Sequence, residues 1–331
     1  MSKNYGDRFI PRRKNISSSL LIPSTSKNSD EFNFTRLCQD SILGSPQRLI
    51  SFRNGSMDQS HWLLQLQEKI DTKYSIAETP RNINSQPFKI LDAPAFRKDY
   101  YLNLLDWSPT GVVAIALSDS LYLWDFTSNN ATQLCSGESD DEYISSVAWH
   151  GKGSCLALGM ADGKLQIWDS NKGMKVKEVQ SHDSRINCIS SSFSSSNLLA
   201  TAGKDKKINL NDFRIRNPVV NSFFGHTQEI CGLKFSNDGN ELASGANDNV
   251  LKIWDIHSTH TPKWYLPDHL AAVKAISWCP WQKGLLASGG GSDDKTIKTW
   301  NTNTGTLIQS VDTGSQVCCL NWSTTSKELI S

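Results

Sequence analysis

The sequence predicts an all-β fold, a β-propeller of which five blades and part of a sixth are present, behind an N-terminal tail without regular structure. Three observations carry that expectation. The chain has 11 Trp among 331 residues although its AVILMFWYC fraction is only 38%, which argues against a leucine-rich helical core. Aromatic, acidic and histidine residues recur at one spacing from about residue 88 onward. Within each recurrence, short β-rich runs alternate with turn-forming residues.

Charge is balanced, with 34 Lys+Arg against 33 Asp+Glu, so no nucleic acid or membrane surface is expected as a partner and charge-driven recognition must be local. No apolar run reaches the length of a spanning helix, and the start MSKNYGDRFIPRRK lacks the apolar region of a signal peptide. An intracellular, soluble protein is expected. The eight cysteines, at 38, 135, 155, 188, 231, 279, 318 and 319, contain no C-x-x-C pair, which predicts small buried strand residues rather than a disulfide framework or a metal site. No cofactor is expected.

Residues 1–87 are rich in Ser, Asn, Gln and Arg and show neither a period of 2 nor one of 3.6. Such a segment cannot bury enough apolar surface to offset its ordering entropy and reads as disordered. Within it, His61 to Ile70 would place Trp62, Leu63, Leu66 and Ile70 on one side of a short helix, either a docking helix or an incidental apolar patch.

From residue 88 to 331 the chain falls into register. Trp107, Trp149, Phe193, Phe235, Trp278 and Trp322 form one comb; Trp124-Asp125, Trp168-Asp169, Asn211-Asp212, Trp254-Asp255 and Trp300-Asn301 form a second. Asp119, Asp162, Asp205, Asp248 and Asp294 form a third, and His182, His226 and His269 a fourth. A shared period of about 43 residues with a Trp-Asp signature is that of WD-repeat propellers. In one repeat, Ile230 to Phe235, Glu241 to Gly245, Val250 to Trp254 and Pro262 to Leu266 read as strands a, b, c and d. The repeated Asp then occupies the b–c turn and the His the d–a loop, parts of a network that ties the turn to the strand-c Trp.

That recurrence also governs how acids and histidines are read. Carboxylate pairs suggest glycosidase chemistry, but residues that recur once per repeat are structural, and no G-x-S-x-G, H-E-x-x-H or P-loop motif occurs. No enzyme is expected, and no catalytic residue is assigned.

The first strand a reads as Leu102 to Trp107, and a sixth blade begins at Gln316 to Trp322. Pro87 to Asp92 reads as a strand d ahead of every strand a, placed to complete a last blade. A seven-bladed ring would need roughly 80 more residues, so the ring is expected not to close.

Gly6-Asp7-Arg8-Phe9-Ile10-Pro11-Arg12-Arg13 resembles the C-box of the Fizzy and Fizzy-related activators of the anaphase-promoting complex. Lys89 to Pro94, Asp99 to Leu104, His269 to Ala275, Leu286 to Gly291 and Asp312 to Cys318 look like blade sequences of that family. Phe9 and Pro87-Phe88-Lys89 lean toward the Fizzy-related branch, Glu142 to Trp149 and Trp278-Cys279-Pro280-Trp281 toward Fizzy.

The resemblance implies a seven-bladed fold and a coactivator that recruits degron-bearing cell-cycle proteins to the ligase in mitosis or meiosis. Its partners would be subunits of the anaphase-promoting complex, substrates, and checkpoint or inhibitor proteins, in nucleus and cytoplasm. Alternatives are a truncated competing or inactive relative and a general WD-repeat scaffold. The C-box, Asp7, Arg8, Phe9, Ile10, Pro11 and Arg13, would dock on the ligase, and its stiff turn, apolar anchor and charges suit a segment that orders on a partner. A basic localisation patch at Arg12-Arg13-Lys14 is the other reading.

Tyr100, Asn247, Ser292 and Gln316 match positions that hold the KEN box. The residues support this independently, since both loop types open on one propeller face and offer amide and hydroxyl groups to an extended peptide. Asn247 equally reads as a residue stabilising its own turn. Leu91 and Asp92 match one side of the destruction-box groove, with Asp92 facing the motif's Arg. The opposite wall and the family's Ile-Arg tail are expected to be missing. Glu138, Asp140, Asp141 and Glu142 form an acidic loop that would either steer basic degrons or be merely solvated. Ser45-Pro46 and Thr79-Pro80 are candidate phosphorylation sites.

Overall fold

The chain divides into two units, Met1–Pro87 and Phe88–Ser331. A computed structural model describes residues 86–87, 89–137, 142–151, 153–192, 197–258 and 261–331. The C-box, the candidate helix at 61–70, the two Ser/Thr-Pro sites, Cys38, Phe193 and most of the acidic loop lie outside the described residues. No helix occurs among the described residues.

Twenty-two strands build five four-stranded antiparallel sheets and a two-stranded one. Blade 1 is β1 (Leu105–Trp107), β2 (Val112–Leu117), β3 (Ser120–Asp125) and β4 (Ala131–Cys135); blade 2 is β5 (Ile144–His150), β6 (Cys155–Met160), β7 (Lys164–Asp169) and β8 (Met174–Gln180). Blade 3 is β9 (Ile186–Ser191), β10 (Leu198–Gly203), β11 (Lys207–Asp212) and β12 (Val219–Phe224). Blade 4 is β13 (Ile230–Phe235), β14 (Glu241–Ala246), β15 (Leu251–Asp255) and β16 (Trp264–Leu266), and blade 5 is β17 (Val273–Trp278), β18 (Leu285–Gly290), β19 (Thr296–Asn301) and β20 (Thr306–Asp312). A partial sixth sheet pairs β21 (Asn321–Trp322) with β22 (Leu329–Ile330). In every complete sheet the strands are neighbours in chain order, the meander of a propeller blade.

The register explains the combs. A fully buried leucine in strand b stands between the strand-a and strand-c aromatics of its blade: Leu156 between Trp149 and Trp168, Leu242 between Phe235 and Trp254, Leu286 between Trp278 and Trp300. The apolar clusters combine residues of successive blades, so the core lies between blades and not within one. The strand-a aromatics also fasten blade to blade. The indole Nε1 of Trp149 donates to the carbonyl of Asp106 (3.2 Å), that of Trp278 to Lys234 (3.0 Å) and that of Trp322 to Ser277 (3.0 Å), each acceptor directly preceding the comb position one blade back.

Four sequence expectations need correction. In blade 3 the comb position is Ser191, which pairs with Leu199, and not Phe193 two residues on. Residues 89–92 form no strand, because no strand c stands beside them in the described residues; Ile90 is 78% exposed. The first and sixth strands a are shorter than expected, at 105–107 and 321–322, although Asn103 makes a single parallel bridge to Ser146. Cys188, Cys231 and Cys279 are buried as expected, whereas Cys318 and Cys319 are exposed because the segment before β21 lies in no ladder.

Candidate functional site

The histidines and acids of the combs pair inside their blades. In blade 5, Trp300 Nε1 donates to Ser288 Oγ (2.8 Å), Ser288 Oγ meets His269 Nε2 (2.6 Å), and His269 Nδ1 meets Asp294 (2.5 Å). Blade 4 repeats this with Trp254, Ser244, His226 and Asp248 at 2.8, 2.7 and 3.0 Å. In blade 3, Thr201 Oγ1 stands for the serine and Asn211 Nδ2 for the indole, with His182 and Asp205 completing the line. Blades 1 and 2 have the Asp without the His: Asp119 accepts from Ser120 Oγ, and Asp162 from the Lys164 backbone N–H while also pairing with the Lys164 ammonium.

Serine, histidine and aspartate are connected here as in a hydrolase triad, but Ser244 and Ser288 are wholly buried and their oxygens already receive an indole N–H. No substrate carbonyl can reach them. Burial pushes the His226 and His269 imidazoles below their ordinary value, against the opposing pull of Asp248 and Asp294. Burial is the largest single influence on the Asp205, Asp248 and Asp294 carboxyls and works to raise them, but the histidine, through hydrogen bond and charge, together with backbone N–H donors outweighs it and all three end below the usual carboxylate range. Neutral imidazole beside carboxylate is therefore the resting state.

Of the predicted degron residues, Tyr100, Asn247 and Gln316 are linked through the Tyr100-Tyr101 turn. Asp99 Oδ1 accepts the Tyr101 N–H (2.9 Å) and its carbonyl the Leu102 N–H (3.2 Å), a local turn that sends the two tyrosines to different blades. The Tyr100 hydroxyl donates to the Ala272 carbonyl of the loop before β17 (3.4 Å), and the Gln316 side chain lies close to the same phenol. Burial pushes that phenol up, so it stays protonated. The Tyr101 hydroxyl donates to Asn247 Oδ1 (3.0 Å), while Asn247 Nδ2 donates to Gln228 Oε1 (2.8 Å). Ser292 is exposed beside Gly291, where an added Cβ would come within 3.3 Å of the Ala271 Cβ and 3.4 Å of the Ala272 carbonyl.

Tyr100, Asn247 and Gln316 are thus brought to one mouth, with Ser292 at its rim. Leu91 and Asp92 are exposed and lie in irregular chain. Residues that the sequence reading missed complete the mouth. Lys274 Nζ donates to the Leu102 carbonyl (2.8 Å) and lies 5.2 Å from the Tyr100 ring centre, its pKa lowered by burial. Arg185 reaches Asp99 (2.7 Å) and Glu229 (2.6 Å). A signal for them exists. Counting six residues back from each corrected comb position gives Tyr101, Tyr143, Arg185, Glu229, Ala272 and Gln316, one mouth residue per blade.

The described blades define the class, a WD-repeat β-propeller with a polar, hydrogen-bonded mouth built from loops of separate blades. The chain belongs to the CDC20/Fizzy WD40 domain family, whose model matches residues 91–331. It is 45% identical over 262 residues, 78% of this chain and 52% of the relative, to a Dictyostelium discoideum protein named anaphase-promoting complex subunit cdc20. It is 38% identical over its whole length to the Arabidopsis thaliana protein named cell division cycle 20.5, cofactor of APC complex, covering 76% of that relative. The chain thus spans about half the length of the first relative and about three quarters of the second. Among solved structures, a chain in the crystal structure of the mitotic checkpoint complex superposes with a TM-score of 0.71 at 42% identity, covering 75% of this chain and 78% of that one.

Proposed function

We propose that this protein is a substrate-recruiting coactivator of the anaphase-promoting complex, a binding adaptor and not an enzyme. The observation that carries the reading is the mouth itself, where phenol and amide groups from separate blades converge in a family whose relatives are named as cofactors of that complex. Tyr100, Asn247, Ser292 and Gln316 would hold a Lys-Glu-Asn degron, and Leu91 and Asp92 one side of a destruction box. The tail motif Asp7, Arg8, Phe9, Ile10, Pro11 and Arg13 would dock on the ligase. Checkpoint proteins are further partners by the same reasoning, since the solved relative comes from a checkpoint complex. Such a role requires access to nucleus and cytoplasm.

The test is recovery of the ligase on immobilised wild-type protein and on Arg8→Ala. Loss of most of the recovery in the variant is expected, and equal recovery overturns the docking assignment. Reconstituted ubiquitination of a degron-bearing substrate then separates an activator, which raises the rate, from a competitor, which lowers it.

A further inference from the structure

Arg185 joins two carboxylates of the mouth, Asp99 and Glu229. Its Nη1 binds Asp99 Oδ2 and its Nη2 binds Glu229 Oε1. Asp99 orders the Tyr101 backbone, the Tyr101 hydroxyl holds Asn247 Oδ1, and the Asn247 backbone N–H returns to the Glu229 carbonyl (2.9 Å). The circuit Arg185, Asp99, Tyr101, Asn247, Glu229 closes on itself. It joins four stretches distant in sequence, at 99–101, 185, 229 and 247, and a planar guanidinium fork suits this junction because it binds two carboxylates at once in fixed directions. The Arg185 side chain is only 16% exposed, so the pairs are poorly screened and their geometry matters.

The circuit also decides what Asn247 can offer. With Oδ1 taken by Tyr101 and one Nδ2 hydrogen by Gln228, a flip of the amide would set Asn247 Oδ1 against Gln228 Oε1, two acceptors, and force the Tyr101 hydroxyl from donor to acceptor. One N–H and one lone pair remain for a ligand. We propose that Arg185 is the positioning residue of the mouth: by holding Asp99 and Glu229 together it keeps Tyr101 against Asn247 and fixes the amide edge presented to a Lys-Glu-Asn degron. This rests on the degron-binding reading above. Arg185 acts through its neighbours and does not itself touch the peptide.

The experiment measures affinity of the full chain for a synthetic Lys-Glu-Asn peptide, with the urea midpoint of each variant. Arg185→Gln is expected to bind roughly tenfold more weakly, and the isosteric Tyr101→Phe several-fold more weakly, with unfolding midpoints near wild type. The double variant should bind no worse than Arg185→Gln alone, because both changes break one line of action. Affinity of Arg185→Gln within about twofold of wild type, or losses that multiply in the double variant, overturns the positioning role. So does an unfolding midpoint that falls in step with the affinity. If the wild-type chain fails to bind the peptide, it is the degron reading that falls.

Discussion

Asn211 does in blade 3 what an indole does in blades 4 and 5, donating to the hydroxyl that a buried histidine also uses. The residue type changed and the hydrogen-bonding role did not, because an unpaired buried hydroxyl or imidazole costs more than the choice of donor. These lines set a pH dependence. With folded-state pKa values pushed below 6.5, His226 and His269 take up protons later than they would in the unfolded chain. Their contribution to stability is therefore complete above about pH 6.5 and is lost as the pH falls below it. The lowered carboxyls of Asp205, Asp248 and Asp294 extend the loss to more acidic pH. Urea midpoints should hold from pH 7.5 to about 6.5 and then fall toward pH 5, and a profile flat over the whole range would contradict the assignment of neutral, buried imidazoles. The pairing of His and Asp was legible from their shared period. Tyr101 was not, since in Tyr100-Tyr101 the sequence does not say which phenol turns toward Asn247.

Among strands, the sequence showed the repeat but not its exact phase. An aromatic at Phe193 fits the spacing as well as Ser191 does, and only the ladder to Leu199 separates them. A run such as Ile90-Leu91 has strand composition, yet a strand needs a partner ladder and composition cannot supply one. Close approach between blades, by contrast, leaves a sequence mark. Gly159 and Gly245 each lie in strand b where strand a of the next blade presses in, and a Cβ on Gly245 would come within 2.2 Å of the Val273 carbonyl and 2.8 Å of the Val273 Cβ. Val273 is held in its own ladder opposite Gly290 and has nowhere to move. Gly245→Ala should cost about 2–3 kcal/mol by overpacking. Gly111→Ala, with φ +89° but nothing within 4 Å of the new methyl, should cost about 1 kcal/mol from backbone strain alone. Equal urea midpoints for the two would show that the blades are not held at this distance.

At the scale of the whole molecule, each blade finishes its neighbour, and that makes the faces of a blade energetically unequal. Trp149 is 7% exposed, with its indole bonded to the Asp106 carbonyl of blade 1, whereas Trp107, at the same position of blade 1, is 57% exposed and meets only Phe126 among the described aromatic contacts. Among the described residues, these two tryptophans share one register and differ in that a blade stands before Trp149 and none before Trp107. Trp149→Ala removes a buried indole and its bond and should cost about 3–5 kcal/mol. Trp107→Ala removes surface that water already covers and should cost about 1 kcal/mol or less. Measuring both by urea unfolding of the same chain reads directly which blade faces are covered in solution. A cost at Trp107 that matched the cost at Trp149 would mean that the outer face of blade 1 is packed against protein in solution, and the exposure of Trp107 would then be wrong.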